Sequence, residues 1–145
     1  MLTIQKENPE LLASLQKEWA SAAAAPMRCV EILRAGMPWE TLQTLARALG
    51  FAEGTMAEVL RIPPRTLARR KGRKLELNEG ERVLRLIRLS SKAIDVLGDS
   101  RKAAHWLTAP NGALEGATPI SLVDTDIGTL EAEAVLGRIE YGVYS

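Results

Sequence analysis

The sequence predicts a mainly α fold. Apolar residues recur at i, i+3, i+4 and i+7 along most of the chain, and capping residues and prolines punctuate those stretches. No run alternates apolar with polar residues as a half-buried strand would. The 145 residues are 46% apolar and 26% charged, a composition that supports a core and excludes disordered and collagen-like classes. No apolar run approaches the roughly 20 residues needed to cross a bilayer, and the N-terminus mixes Lys6 with Glu7 instead of opening a basic leader. The expected location is the cytoplasm, without membrane contact. A lone Cys29, with no CxxC or Cys/His cluster, predicts neither a disulfide framework nor a metal site.

Taken in order, Asn8-Pro9-Glu10 supply an N-cap, a proline at the first helical position and an acid in the first turn of a helix. Leu12, Leu15 and Trp19 form its apolar face, and it ends in the Ala22–Ala25 tract before Pro26. Met27 to Gly36 has helix and strand features in equal measure and is left unassigned. From Pro38, the stripe Leu42, Leu45, Ala46 and Leu49 gives a second helix, with Gly50 placed to cap it. Thr55 and Glu58 have capping-box spacing for a short helix to about Arg61, and Pro63-Pro64 breaks the chain before another from Pro64 to about Lys71. Asn78 and Glu81 open a long helix that carries Val83, Leu86, Ile87, Ile94 and Leu97 on one face and ends at Gly98. Arg82, Arg85, Arg88 and Lys92 cluster opposite. Asp99 or Ser100 caps a helix reaching Leu107, Thr108 to Gly116 is turn-rich, Thr118-Pro119 starts a short helix, and Ala132, Val135, Leu136 and Ile139 mark the last one before Gly142.

The net charge of +1 hides an asymmetry. Residues 1–60 hold 5 basic and 7 acidic side chains, residues 61–92 hold 11 and 3, and residues 93–145 hold 3 and 8. Between Arg61 and Lys74 stand seven basic residues and no acid, a local positive field whose natural partner is a polyanion. The short helices in and before that stretch have the pattern of a helix-turn-helix. Met56, Ala57 and Leu60 lie on the first, Ile62 in the turn, and Thr66-Leu67 with Arg69 on the second. Leu60, Ile62 and Leu67 are placed to pack against the helix beginning at Pro38. Arg65, Thr66, Arg69 and Arg70 share a sector away from Leu67, so the second helix would enter the major groove. Arg65 and Arg69 are then available to base edges or phosphates, and Arg70, Lys71, Arg73 and Lys74 are assigned to phosphate. The motif departs from its usual form where Arg61 replaces the turn glycine and Pro63 replaces a Ser or Thr cap; Pro64 at the first helical position restores a plausible start.

Pro64-Arg65-Thr66-Leu67-Ala68-Arg69-Arg70-Lys71, then Leu75, then Asn78 through Leu89 with its repeated arginines, resembles the Xre/MbcA/ParS-type bacterial antitoxins. The C-terminal half is the more specific: Ala103 to Leu107 with Trp106, Pro110-Asn111, Leu114, Gly116, Thr118-Pro119, Leu122, Asp124-Thr125, Gly128, and Leu136-Gly137-Arg138-Ile139-Glu140-Tyr141-Gly142-Val143 follow the order of that family's toxin-binding domain. The resemblance covers roughly residues 38–145. It implies an Xre-like helix-turn-helix region over residues 38–98 and a small helical toxin-binding domain over 99–145; residues 1–37, which lie outside the resemblance, read as an N-terminal helical extension. It further implies a RES-domain toxin that depletes NAD, operator DNA as second partner, a homodimer within a higher toxin-antitoxin assembly, and no cofactor. By carry-over, Arg138, Glu140, Tyr141, Val143, Tyr144 and Ser145 become the segment that blocks the toxin's active site. The residues themselves are compatible with this, because Gly142 would end the last helix ahead of a tyrosine-bearing tail.

Catalysis finds no constellation in the sequence. His105 and Cys29 lie far apart, and glycine-rich phosphate loops, GxSxG and metal-hydrolase spacings do not occur. Asp124, Asp126, Glu131 and Glu133 read as the start of a helix. The competing function is a free-standing helix-turn-helix regulator without a toxin, for which the tail beyond Gly142 has no evident use.

Overall fold

The computed structural model describes residues 8–142, and among these it is helical throughout, with one isolated antiparallel bridge between Pro38 and Lys74. The helices are α1 (Pro9–Ala23), α2 (Pro26–Ala35), α3 (Trp39–Leu49), α4 (Glu53–Val59), α5 (Pro64–Arg70), α6 (Leu77–Leu97), α7 (Ser100–Thr108) and α8 (Asp126–Glu140). Two 3-10 turns, Gly112–Leu114 and Pro119–Leu122, lie between α7 and α8. The unassigned stretch after Pro26 is therefore helix: Pro26 occupies its first turn, and Leu33 is buried against Gly80 of α6.

The 21-residue α6 is the spine of the molecule. It packs against α1, α2 and α3 as well as α7 and α8. Val83, Leu86, Ile87, Leu89 and Ala93 are buried along it. The first helix belongs to the same core, with Leu12, Leu15 and Trp19 buried among α3, α6 and α7. Trp39 is buried as well.

Capping follows the sequence in some places and departs from it in others. Gly50 and Gly98 take left-handed conformations at the ends of α3 and α6. The Asp99 side chain accepts from the Lys102 N–H and the Thr125 hydroxyl from the Gly128 N–H. α4 starts at Glu53, two residues ahead of Thr55, with Ala52 at its N-cap and no side-chain cap. α6 begins at Leu77, and Glu79, not Glu81, turns back to accept from the Glu76 N–H at 2.8 Å.

Candidate functional site

The helix-turn-helix is built by α4 and α5. Met56, Ala57, Leu60 and Ile62 are buried, and Leu67 packs partly against the core; α4 packs on α3, and α5 on α4. The turn between them is a Schellman motif: the Ile62 N–H donates to the Ala57 carbonyl at 2.8 Å and the Arg61 N–H to the Glu58 carbonyl at 3.1 Å. Arg61 occupies the left-handed position that glycine usually takes, with φ 59°. The departure noted in the sequence is thus an arginine held in the glycine conformation, and the turn geometry is kept. The Arg82 guanidinium donates to the Leu60 and Arg61 carbonyls at 3.1 and 3.2 Å, satisfying oxygens that the end of α4 leaves open.

The basic segment divides in two. Arg65 and Arg69 on α5 are exposed, Thr66 is half-buried, and Lys71, Arg73 and Lys74 are exposed on the turn that follows. That turn is anchored by hydrogen bonds from the Trp39 N–H to the Arg73 carbonyl and from the Leu75 N–H to the Met37 carbonyl. Gly36 lies so close to Lys74 that a Cβ there would stand 2.8 Å from the lysine Cβ.

Arg70 departs from its assignment to phosphate. Its side chain is 16% exposed and turns inward, with Nε 2.8 Å from Glu79 Oε1 and Nη2 2.9 Å from Glu76 Oε1. The hydrogen bond that Arg70 donates to Glu79 is the largest cause of a guanidinium pKa raised above its ordinary value. Glu79 is itself buried, so the pair fastens the end of α5 to the start of α6. Sequence reading missed Glu76 and Glu79 because their partner lies across a chain reversal, outside the i, i+3 and i, i+4 spacings that flag helical pairs.

The same arginine chemistry connects this region to the C-terminal part. Arg61 Nε lies 3.2 Å from Asp124 Oδ2, Arg85 donates to the Val123 carbonyl at 3.0 Å and to the Asp124 carbonyl at 3.4 Å, and Arg88 faces Glu133 at 3.8 Å. Arg82, Arg85 and Arg88, which the sequence groups as one basic face, thus make their contacts within the chain.

At the other candidate site, α8 buries Thr129, Ala132, Val135 and Leu136. Arg138 and Glu140 are exposed, Tyr141 is 79% exposed, and Gly142 has φ 69°. Tyr141 does not fold back onto the core. Val143, Tyr144 and Ser145 lie outside the described residues. His105 is exposed and Cys29 half-buried. Among the described residues no helix is long and apolar enough to cross a membrane, and no group of three or more His, Cys, Asp or Glu side chains is placed to hold a metal.

Two stretches of the chain match known domain families. Residues 30–88 match the Antitoxin Xre-like helix-turn-helix domain, and residues 92–142 match the Antitoxin Xre/MbcA/ParS C-terminal toxin-binding domain. The chain is 34% identical to an Antitoxin Xre of Photorhabdus laumondii over 118 residues, 79% of each protein. It is 39% identical to an Antitoxin Xre of Yersinia enterocolitica over 95 residues, covering 61% of this chain and 64% of the relative. A more distant likeness, 25% identity over 133 residues and 84% of each chain, is to a Prs ADP-ribosylating antitoxin of a Sphingobium species. With a helix-turn-helix domain and a toxin-binding domain in one helical body, the chain belongs to the Xre/MbcA/ParS family of antitoxins of toxin-antitoxin systems.

Proposed function

We propose that this antitoxin neutralises a RES-domain, NAD-depleting toxin in the cytoplasm by placing its C-terminal segment in the toxin's active site. We propose also that, as a homodimer, it represses its own operon by binding operator DNA. The observation that carries the first part is the end of α8, where Tyr141 is 79% exposed beside a left-handed Gly142. Tyr141 is thus presented at the end of the toxin-binding domain, and a tyrosine brings an apolar ring with a polar tip to an interface. The RES assignment rests on the family resemblance; the relatives at 34% and 39% identity are named Antitoxin Xre. The second part is supported by the exposed Arg65 and Arg69 on α5, with Lys71, Arg73 and Lys74 behind them. Two copies would reach two half-sites one DNA turn apart.

The test compares the full chain with a version lacking Tyr141 to Ser145, each mixed with the partner protein that the tagged full chain retains from its native cells, while NAD consumption is followed. The full chain is expected to stop consumption and the shortened one to bind without inhibiting. Equal inhibition by both would refute occlusion by the tail. Separately, Arg65→Ala with Arg69→Ala is expected to abolish operator binding and leave inhibition intact. Loss of both activities in a folded variant would refute the division of labour.

A further inference from the structure

We propose that the outer face of α8 is the docking surface for the toxin's body, the anchor from which the tail reaches the active site; the inference rests on the antitoxin reading above. On a 100° wheel, Ile127, Leu130, Ala134, Arg138 and Tyr141 fall in one sector, opposite the buried Ala132, Leu136 and Ile139 side of the helix. Ile127 is 76%, Leu130 54% and Tyr141 79% exposed, and Ala134 is exposed between them. α8 is therefore apolar on both sides, whereas a helix at a water boundary keeps one side polar. An apolar stripe with a charged rim, here Asp126 and Glu131 near one end and Arg138 near the other, is the anatomy of a protein-binding patch.

The occupant follows from position. Ile127, Leu130 and Tyr141 are the large exposed apolar side chains among the described residues of the segment that matches the toxin-binding domain. The stripe also runs directly into Tyr141 and Gly142, so one partner could cover it and receive the tail. A second copy is a poorer fit. The stripe is one face of a 15-residue helix, about 22 Å long at 1.5 Å per residue. Its few side chains fall well short of the roughly 800 Å² per partner that stable dimers bury. As an extension of a tail interface the same face is adequate.

The experiment uses the full chain carrying Ile127→Ser with Leu130→Ser, and as a second variant Ala134→Arg, which adds bulk at the centre of the stripe without removing a contact. Affinity for a purified RES-domain toxin, the partner retained by the full chain, is measured by calorimetry, and the mass of the antitoxin alone by light scattering. Operator binding serves as the check on folding. The double variant is expected to weaken toxin binding about 100-fold, equivalent to roughly 2.8 kcal/mol at 1.4 kcal/mol per tenfold. Ala134→Arg should weaken it comparably, with mass and operator binding unchanged. Wild-type toxin affinity in both variants would overturn the proposal. A change in the mass of the antitoxin alone would assign the face to a second copy and overturn it as well. If the unaltered chain does not bind the RES-domain protein, the toxin assignment itself falls, which is a separate outcome.

Discussion

Glu79→Gln gives a test whose sign separates two physical roles for Arg70. Glu79 Oε1 accepts from Arg70 Nε at 2.8 Å and from the Glu76 N–H at 2.8 Å, and the two side chains are 7% and 16% exposed. A hydrogen bond to a charged group contributes about 1.5–3 kcal/mol. The glutamine keeps a neutral acceptor, and Arg70 keeps the more exposed Glu76 at 2.9 Å, so the expected loss is about 1–2 kcal/mol. That loss falls on the joint between α5 and α6. If α5 is docked in a fraction of molecules, apparent affinity drops by that fraction, so a loss of about 1.4 kcal/mol weakens the operator complex by up to tenfold, the full factor being reached when the docked form is the minor one. Simple electrostatics predicts the opposite, because removing an acid beside a polyanion site tightens binding. The assay is fluorescence anisotropy of labelled operator at several salt concentrations, with toxin inhibition and thermal melting as controls. Positioning predicts weaker binding with an unchanged salt slope, since no phosphate contact is lost. Tighter binding, with a slope steeper by about 0.9, would mean that the released Arg70 had gone to phosphate. That result would refute the positioning role.

Further expectations follow from the turn, the last helix and the exposed arginines. Arg61 holds φ 59° in a Schellman turn and makes a largely exposed ion pair with Asp124. Arg61→Gly is therefore expected to be more stable than Arg61→Ala by about 1 kcal/mol, read as a melting temperature higher by several degrees. A lower one would show that the turn does not strain its residue. Gly128 sits where a Cβ would meet the Leu122 carbonyl oxygen at 2.5 Å and Thr125 Oγ1 at 2.8 Å. Gly128→Ala should cost about 1–3 kcal/mol by forcing the cap of α8 apart, and an unchanged denaturant midpoint would contradict that. In Arg65→Ala or Arg69→Ala alone, weaker operator binding should come with a salt slope shallower by about 0.9 if the side chain touches phosphate. An unchanged slope would move that arginine from phosphate to a base edge.

Most helices were legible because each had its own local signals, such as the Leu42–Leu49 stripe ending at Gly50 or the Asp99 cap of α7. Residues 27–36 were not, because their helix is decided by packing: Leu33 and Met37 come within 3.1 and 3.3 Å of where a Cβ on Gly80 would stand. The basic segment was visible as a run of charge, but its division was hidden. Whether Arg70 faces solvent or Glu79 depends on how Gly72 and the Pro38–Lys74 bridge turn the chain, and spacing does not record that. The outer stripe of α8 was missed for a related reason. Ala132, Val135, Leu136 and Ile139 mark the buried face of α8 by their spacing, and spacing alone does not tell that Ile127 and Leu130 stay exposed on the other.

The spine helix has a consequence for how such a protein can change. The two family matches meet between residues 88 and 92, inside α6, which is continuous from Leu77 to Leu97. A genetic crossover at that junction would splice two half-helices whose Leu86, Ile87 and Leu89 must fit against unrelated neighbours on both sides. Exchanging either half would therefore disturb the packing of the other. A new toxin specificity is more readily reached by substitutions at solvent-facing positions than by exchanging one half for another.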